Sequence, residues 1–355
     1  MDFALSTEQE ALAASERAWL NRNDPILARR PQVDDGPAGI QRSALAHVAE
    51  AGFVGLLTDQ IGGTHVDLAV LVEEHGRAGS SVPLAELALA TAALEPFEQF
   101  GREVASSTAG DEILILVTGP IDGLPLRAER SGTQLRITGT TAPAPGILDA
   151  DGFVIVARSS TERTVIAYVA ARAEGVIARA IDTLDLTRGW GRLDIDVTID
   201  ATRWAEAPGD ALAAATDALA CYRQFDALGA ADNLLQRTVE YAGQRTQFGA
   251  PIGSFQAVKH HCSNMALAVE SARAALWAAA VALDNDDPDY RAHAVSAAAA
   301  YSGEATSTVA QTALQVHGGI GFTWEHDLHL LIRRIKVDEL LDGPVSYHRR
   351  RLVTT

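Results

Sequence analysis

Two stretches of the chain carry side chains suited to holding a ligand. Arg245-Thr-Gln-Phe-Gly-Ala-Pro-Ile-Gly-Ser-Phe-Gln256 lies between two long helical segments, and Gln315-Val-His-Gly-Gly-Ile-Gly-Phe322 follows further along. A guanidinium is planar and can grip a pyrophosphate with parallel hydrogen bonds. Side-chain amides such as those of Gln256 and Gln315 suit adenine and ribose, and the pair Gly318 and Gly319 lets backbone N–H groups come close to a ligand. This is chemistry for an anionic dinucleotide. No Gly-x-Gly-x-x-Gly opens a helix behind a strand, so a nicotinamide or flavin site of the βαβ kind is not expected.

The elements that must position these groups are legible as periodicities. From Ser6 to about Phe100 the pattern is helical, with a capped start at Thr7-Glu-Gln-Glu10 and apolar steps of three and four through Leu45, Val48, Ala49, Gly52 and Phe53. From about Glu112 the period becomes two. Leu193, Ile195, Val197 and Ile199 alternate with Asp194, Asp196, Thr198 and Asp200, and residues 113–117, 135–138, 153–156 and 165–169 read as further strands. A small antiparallel sheet domain ending near Trp204 is expected. After Pro208 the chain is helical again, with one stripe through Leu212, Leu219, Tyr222, Phe225, Leu228 and Leu235. A second runs through Phe255, Val258, Cys262, Met265, Val269, Ala272 and Leu276. Asp284-Asn-Asp-Asp-Pro288 breaks that helix and starts the one leading to Gln315. The expected architecture is α+β, with an N-terminal helical domain (1–110), a middle antiparallel β domain (111–205) and a C-terminal four-helix bundle (206–355).

Composition narrows the partners. With 46 acidic against 29 basic residues and a net charge of −17, the surface repels nucleic acid and anionic lipid. The one dense basic run, His348-Arg-Arg-Arg351, reads as a solvated last helical turn opposing the dipole. Cys221 and Cys262 form no disulfide framework and fit a reducing compartment. The first residues lack a basic region followed by an apolar core, so no signal peptide is expected. No apolar run reads as a membrane span, and a cytoplasmic location is expected. His260-His261-Cys262 looks metal-like, but adjacent helical residues point about 100° apart and no second ligand pair follows, so no metal is expected. Cys262 reads instead as a small core residue. The run Ala297 to Ala300 reads as close helix packing. Trp324-Glu-His-Asp-Leu-His329 could hold acid–base pairs or be structural.

Arg-x-x-Phe-Gly-x-x-Ile-x-x-x-Gln and Gln-x-x-Gly-Gly-x-Gly-Phe resemble the two C-terminal signatures of the acyl-CoA dehydrogenases, flavoenzymes that desaturate acyl thioesters between the α and β carbons. Ala49-Glu-Ala-Gly-Phe-Val-Gly-Leu56, Ile61-Gly-Gly63 and Glu73-Glu-His-Gly-Arg77 are similar to that family's N-terminal helical domain, so the likeness runs over most of the chain. The resemblance implies FAD, an acyl-CoA substrate and a flavoprotein electron acceptor. It also implies that Arg245, Phe248, Gln256, Gln315, Gly318 and Gly319 reach across a subunit interface to the ADP half of a neighbour's FAD. In the Trp324 to His329 stretch it favours a structural role.

The chain departs from the family where the flavin ring and the base belong. Removing an α proton while hydride leaves the β carbon needs a carboxylate on one side of the substrate and a flavin on the other. Many members place a glutamate in Tyr-Glu-Gly-Thr. Here the matching residues are Leu341-Asp-Gly-Pro344, so Asp342 is the candidate base, one methylene short. Its competing reading is a turn or N-cap residue of the last helix. The family's other glutamate position falls near Leu219, where none stands. Loops that cradle the isoalloxazine ring in typical members read Thr118-Gly-Pro-Ile-Asp-Gly-Leu124 and Gly139-Thr-Thr-Ala-Pro-Ala-Pro145, shortened, proline-interrupted and without the aromatic. A chain that keeps only the half serving its neighbour resembles the degenerate partner of the heterotetrameric acyl-CoA dehydrogenases of actinobacterial steroid catabolism, and its small length for the family agrees. The expected function is therefore a subunit that works with a catalytic partner, possible substrates including a steroid side-chain thioester. A self-sufficient homo-oligomer using Asp342 is the alternative, and a flavin-free assembly or acyl-CoA-binding protein is a third.

Overall fold

The computed structural model describes residues 5–121 and 123–354; Asp122, in the first of the two departing loops, lies outside them. Ser6 caps α1 (Thr7–Asn23) in a reciprocal box, with Gln9 N donating to Ser6 Oγ at 3.2 Å and Ser6 N to Gln9 Oε1 at 3.0 Å. Short helices α2 (Arg30–Val33) and α3 (Arg42–Glu50) lead to α4 (His65–Ala78), α5 (Leu84–Leu94) and α6 (Gly101–Thr108). α4 and α5 are buried along almost their whole length and form the inner layer against which the other two regions pack.

The strands are β1 (Leu114–Val117), β2 (Arg127–Ser131), β3 (Gln134–Thr140), β4 (Ala144–Pro145), β5 (Gly152–Ser159), β6 (Thr164–Ala170), β7 (Val176–Ala180), β8 (Trp190–Ile199) and β9 (Trp204–Glu206). They form one sheet in the order β4-β8-β3-β2-β5-β6-β9, with β1 also on β5 and β7 also on β8. An antiparallel sheet was expected, and this corrects it: the sheet is mixed, since β1 and β2 both run parallel to β5, with Leu114 opposite Gly152 and Arg127 opposite Arg158. The reason lies in burial. β1 and most of β5 are covered on both faces, so they read as continuous apolar runs whose direction alternation cannot report. Where one face is wet the alternation is seen as expected: Asp194 and Asp196 of β8 point outward to Arg179 at 2.5 Å and Arg136 at 2.9 Å.

The C-terminal region comprises α7 (Ala211–Gln244), a hairpin of β10 (Thr246–Gln247) and β11 (Ala250–Pro251), then α8 (Gln256–Leu283), α9 (Pro288–His317), α10 (Leu328–Leu340) and α11 (Val345–Thr354). α7 to α10 make the four-helix bundle, with α11 laid on α9. Asp287 caps α9 by accepting from Asp289 N at 3.0 Å, and Ala298 to Ala300 are buried in the bundle. α7 crosses α4 so closely that a Cβ on Gly76 would fall 2.1 Å from the Asp226 carbonyl oxygen, and one on Gly229 would fall 1.9 Å from that of Glu73. Only glycine permits that backbone approach.

Three further expectations are corrected. α8 is long and apolar enough to cross a bilayer, with a mean hydropathy of 1.5, although 44% of that window is buried inside the fold, where it lies between α7 and α9. Cys262 is half-buried rather than in the core, because it stands on the edge of the α8 stripe that faces the hairpin. The His348 to Arg351 turn is not simply solvated: His348 is buried and Arg351 donates to buried Asp217 at 2.5 Å, which docks α11 on the bundle.

Candidate cofactor and active site

α7 ends at Arg245, whose backbone N–H closes the last turn on the Tyr241 carbonyl at 2.8 Å, and the chain then turns through the β10–β11 hairpin into α8. Phe248 sits at the hairpin tip with φ 52° and is 94% exposed. A residue with a Cβ rarely holds that conformation, and an aromatic ring rarely stays in water. Phe255, which precedes the first residue of α8, Gln256, meets the Phe248 ring edge-on at 6.2 Å. Arg245 and Gln256 are exposed, and among the described residues Arg245 has no ion-pair partner.

The second motif arrives at the same end of the bundle. α9 runs back antiparallel to α8, so Gln315 in its last turn, and Gly318 and Gly319 beyond it, lie level with the hairpin. Tyr241 of α7 stacks on His317 of α9 at 4.5 Å and ties the two ends together. Gly318 adopts φ 60°, ψ −139°, and nothing stands within 4 Å of a Cβ built on it or on Gly319. Burial holds the imidazoles of His317 and His326 below their ordinary pKa, with Arg237 nearby adding to it. All six residues singled out from the sequence for cofactor contact thus share one exposed end, which offers a cation, two amides and open backbone beside an open groove of about 450 Å³. Trp324 donates to Asp34 at 2.6 Å, stacks on His329 at 4.6 Å and accepts through its carbonyl from Arg30, pinning the first helices to the bundle.

The departing loops and Asp342 converge elsewhere. Thr118 to Ile121, Ala142, Pro143, Thr216 and Leu340 to Pro344 line one cleft of about 160 Å³. Ala142 N donates to the Thr118 carbonyl at 2.9 Å, which draws the two loops together. Among the described residues, no aromatic side chain and no cation line this cleft. Asp342 lies in a left-handed turn (φ 57°) ahead of α11, as the turn reading anticipates, and its carboxylate accepts from Arg223 Nε at 3.0 Å.

Arg223 is a residue that sequence reasoning passed over. Its Nη2 donates to Glu86 at 2.6 Å and its guanidinium lies 5.1 Å over the Trp190 ring. Burial opposes its charge, but Glu86, Asp342 and Asp338 outweigh burial and push its pKa up. Beside it Arg188 donates to Asp185, Asp226 and Asp338 at 3.0, 2.9 and 2.6 Å, while Arg334 grips Asp226 at 2.6 and 2.7 Å and also reaches the Ser80 carbonyl and the Thr187 hydroxyl. Asp226 is held well below the usual carboxylate range: burial would raise it, and the two arginines override that. One signal for this cluster was available, since Asp217, Arg223 and Asp226 stand among the apolar and small residues of the first half of α7.

Comparison with known proteins bears on the family and the fold. A family model described as the acyl-CoA dehydrogenase C-terminal domain matches residues 215–354. The acyl-CoA dehydrogenase IpdE2 of Mycobacterium tuberculosis is 35% identical over 295 residues, covering 81% of this chain and 77% of IpdE2. The acyl-CoA dehydrogenase FadE34 of the same organism is 31% identical over 99% of this chain, which spans only 48% of FadE34, about half that relative's length. Among solved structures, the ChsE4–ChsE5 complex from Mycobacterium tuberculosis superposes with a TM-score of 0.89 at 27% identity, covering 100% of this chain and 98% of that one.

Proposed function

The chain belongs to the acyl-CoA dehydrogenase family, whose members use FAD, and from that premise we propose that it is a subunit lending ADP-side contacts to the FAD of a homologous catalytic partner. The reaction is α,β-desaturation of an acyl-CoA thioester, and the family resemblance points to a bulky steroid-type acyl group. One observation carries the reading. Thr216 lines the cleft near the start of α7 and Arg245 lies just past its end, about 40 Å away at 1.5 Å per residue. That is longer than one dinucleotide, so on this reading the exposed end and the cleft of the same chain do not share one FAD.

The residues fit one half of FAD and not the other. Arg245 would take the pyrophosphate, Gln256 and Gln315 the adenine and ribose, and Gly318 and Gly319 would let backbone N–H groups approach. The cleft is small, proline-lined and without a ring to stack on, poor material for an isoalloxazine. FAD bound in the complete site supplies the acceptor for the β-hydride. This chain's own residues bind and orient its ADP half, and the partner supplies base and ring loops. A partner is supported by the likeness to ChsE4–ChsE5, a complex.

The homomeric reading keeps one observation in its favour, since Asp342 does border the cleft; its bond to Arg223 weighs against a free base. Flavin stoichiometry by absorbance, with mass by light scattering, separates the two. The chain purified alone is expected to hold little FAD, and the chain with its partner one FAD per pair. A homo-oligomer with one tightly held FAD per copy restores the homomeric enzyme. Asp342→Asn in the assembled enzyme is expected to leave desaturation nearly unchanged, and its loss with flavin retained restores the same alternative.

A further inference from the structure

We infer that Arg223, locked between Glu86 and Asp342, closes this subunit's own acyl chamber, so that the chain admits no thioester to its own cleft. The inference rests on the family reading above but not on how FAD is shared.

Space comes first. The cleft of about 160 Å³ is about half the volume at which pockets for ligands of moderate size begin. Asp342 stands on its inner side, and the buried Arg223 is bonded to that carboxylate from behind. Beyond it Glu86, Leu219, Tyr222 and Arg223 enclose a void of about 10 Å³, room for at most a single water. An acyl chain passing Asp342 would have to displace the guanidinium.

Charge makes that displacement costly. Arg223 and Glu86 are almost wholly buried, and moving the guanidinium takes from Glu86 and Asp342 the ion-pair partner they share. Stacking on Trp190 and the two ion pairs fix its orientation. Arginine cannot escape by losing its proton, and its neighbours hold it more firmly charged still. The mouth does not favour a thioester either, since among the described residues no Lys or Arg lines it to meet the phosphates of CoA. Leu219, where the family's other glutamate falls, presents only an aliphatic side chain to the inner void.

The test is calorimetric titration of octanoyl-CoA into the full chain, comparing wild type, Arg223→Lys and the double variant Arg223→Val/Glu86→Gln, which removes one charge of each sign together with volume. Wild type and Arg223→Lys should show no saturable binding, and the double variant should gain affinity by about tenfold or more. Saturable binding by the wild type at one per chain would overturn the inference. So would a folded double variant that gains nothing. If the double variant does not fold, Asp342→Asn decides: a closed chamber predicts a lower Tm and no thioester binding before or after the change, and binding that this change alters at constant Tm contradicts it. Flavin content of the assembled complex is read separately. A homomeric flavin stoichiometry without thioester binding sinks the shared-FAD reading and leaves the closed chamber standing.

Discussion

Arg223 within α7 and Arg245 just past its end have opposite circumstances. At the middle of α7 the guanidinium of Arg223 is enclosed by α5, β8 and the turn before α11, with two carboxylates and an indole on it. Just beyond the end of the helix Arg245 stands in water beside an exposed phenylalanine. Buried charge that has its partners holds three layers in register; exposed charge without one is a contact waiting for a second molecule. Substitutions at the two places should therefore fail in different ways. Those at the centre should unfold the chain, and those at the end should leave the fold intact and undo the assembly.

Arg334→Met tests the central half of this contrast most severely. It strips Asp226 of two hydrogen bonds and takes the donor from the Ser80 carbonyl, so a loss of about 3–5 kcal/mol is expected in urea unfolding. A loss under about 1 kcal/mol would show that the buried network is not what holds the layers. Arg245→Ala probes the other end. In the assembled complex it should weaken FAD retention by about 2–5 kcal/mol, because a pyrophosphate charge loses its partner at an interface. The chain alone should keep its Tm. Flavin content unchanged after gel filtration rejects the role of Arg245.

Acid should act on the interior. His65 donates or accepts at the Tyr222 hydroxyl at 2.5 Å, and burial, helped by Arg291, lowers its pKa to about 4 from the ordinary 6.5. A neutral, depressed histidine leaves the unfolded state binding more protons, so stability is fully present above pH 6.5 and declines as pH falls to about 4. For His65 the decline is about 2–3 kcal/mol. His65→Gln should flatten the fall of Tm between pH 6.5 and 4, and an unchanged slope removes His65 as its source. The smallest effect is expected at Arg349, paired with Glu304 in the open. Arg349→Ala should shift stability by no more than about 0.5 kcal/mol in thermal melts; a larger loss would show that α11 is held by this surface pair and not by Arg351 on Asp217.

Much of this was readable along the chain. The Ser6–Gln9 cap, the alternation of 193–199 and the break at 284–288 are local patterns, and each depends on neighbours within a few residues, as do the two motifs at 245–256 and 315–322. The parallel pairing of β1 with β5 was not readable, because strands covered on both faces carry no alternation to betray their direction. Arg223 was hidden for a related reason: it lies between Tyr222 and Phe225 on a stripe taken as core, and its partners are 137 and 119 residues away.

The residues by themselves determined the family, the order of helical, sheet and helical regions, and the kinds of groups offered to a dinucleotide, since periodicity and motif spacing are properties of consecutive positions. Which of those groups could serve one ligand together was settled by the tertiary structure alone. The 34-residue length of α7 separates Arg245 from the cleft, while the crossing of α4 over α7 at Gly76 and Gly229 seats α4 and the α5 that follows it against α7, where Glu86 reaches Arg223. Partnership between charges far apart in the chain is set by how helices cross, and no local pattern encodes a crossing.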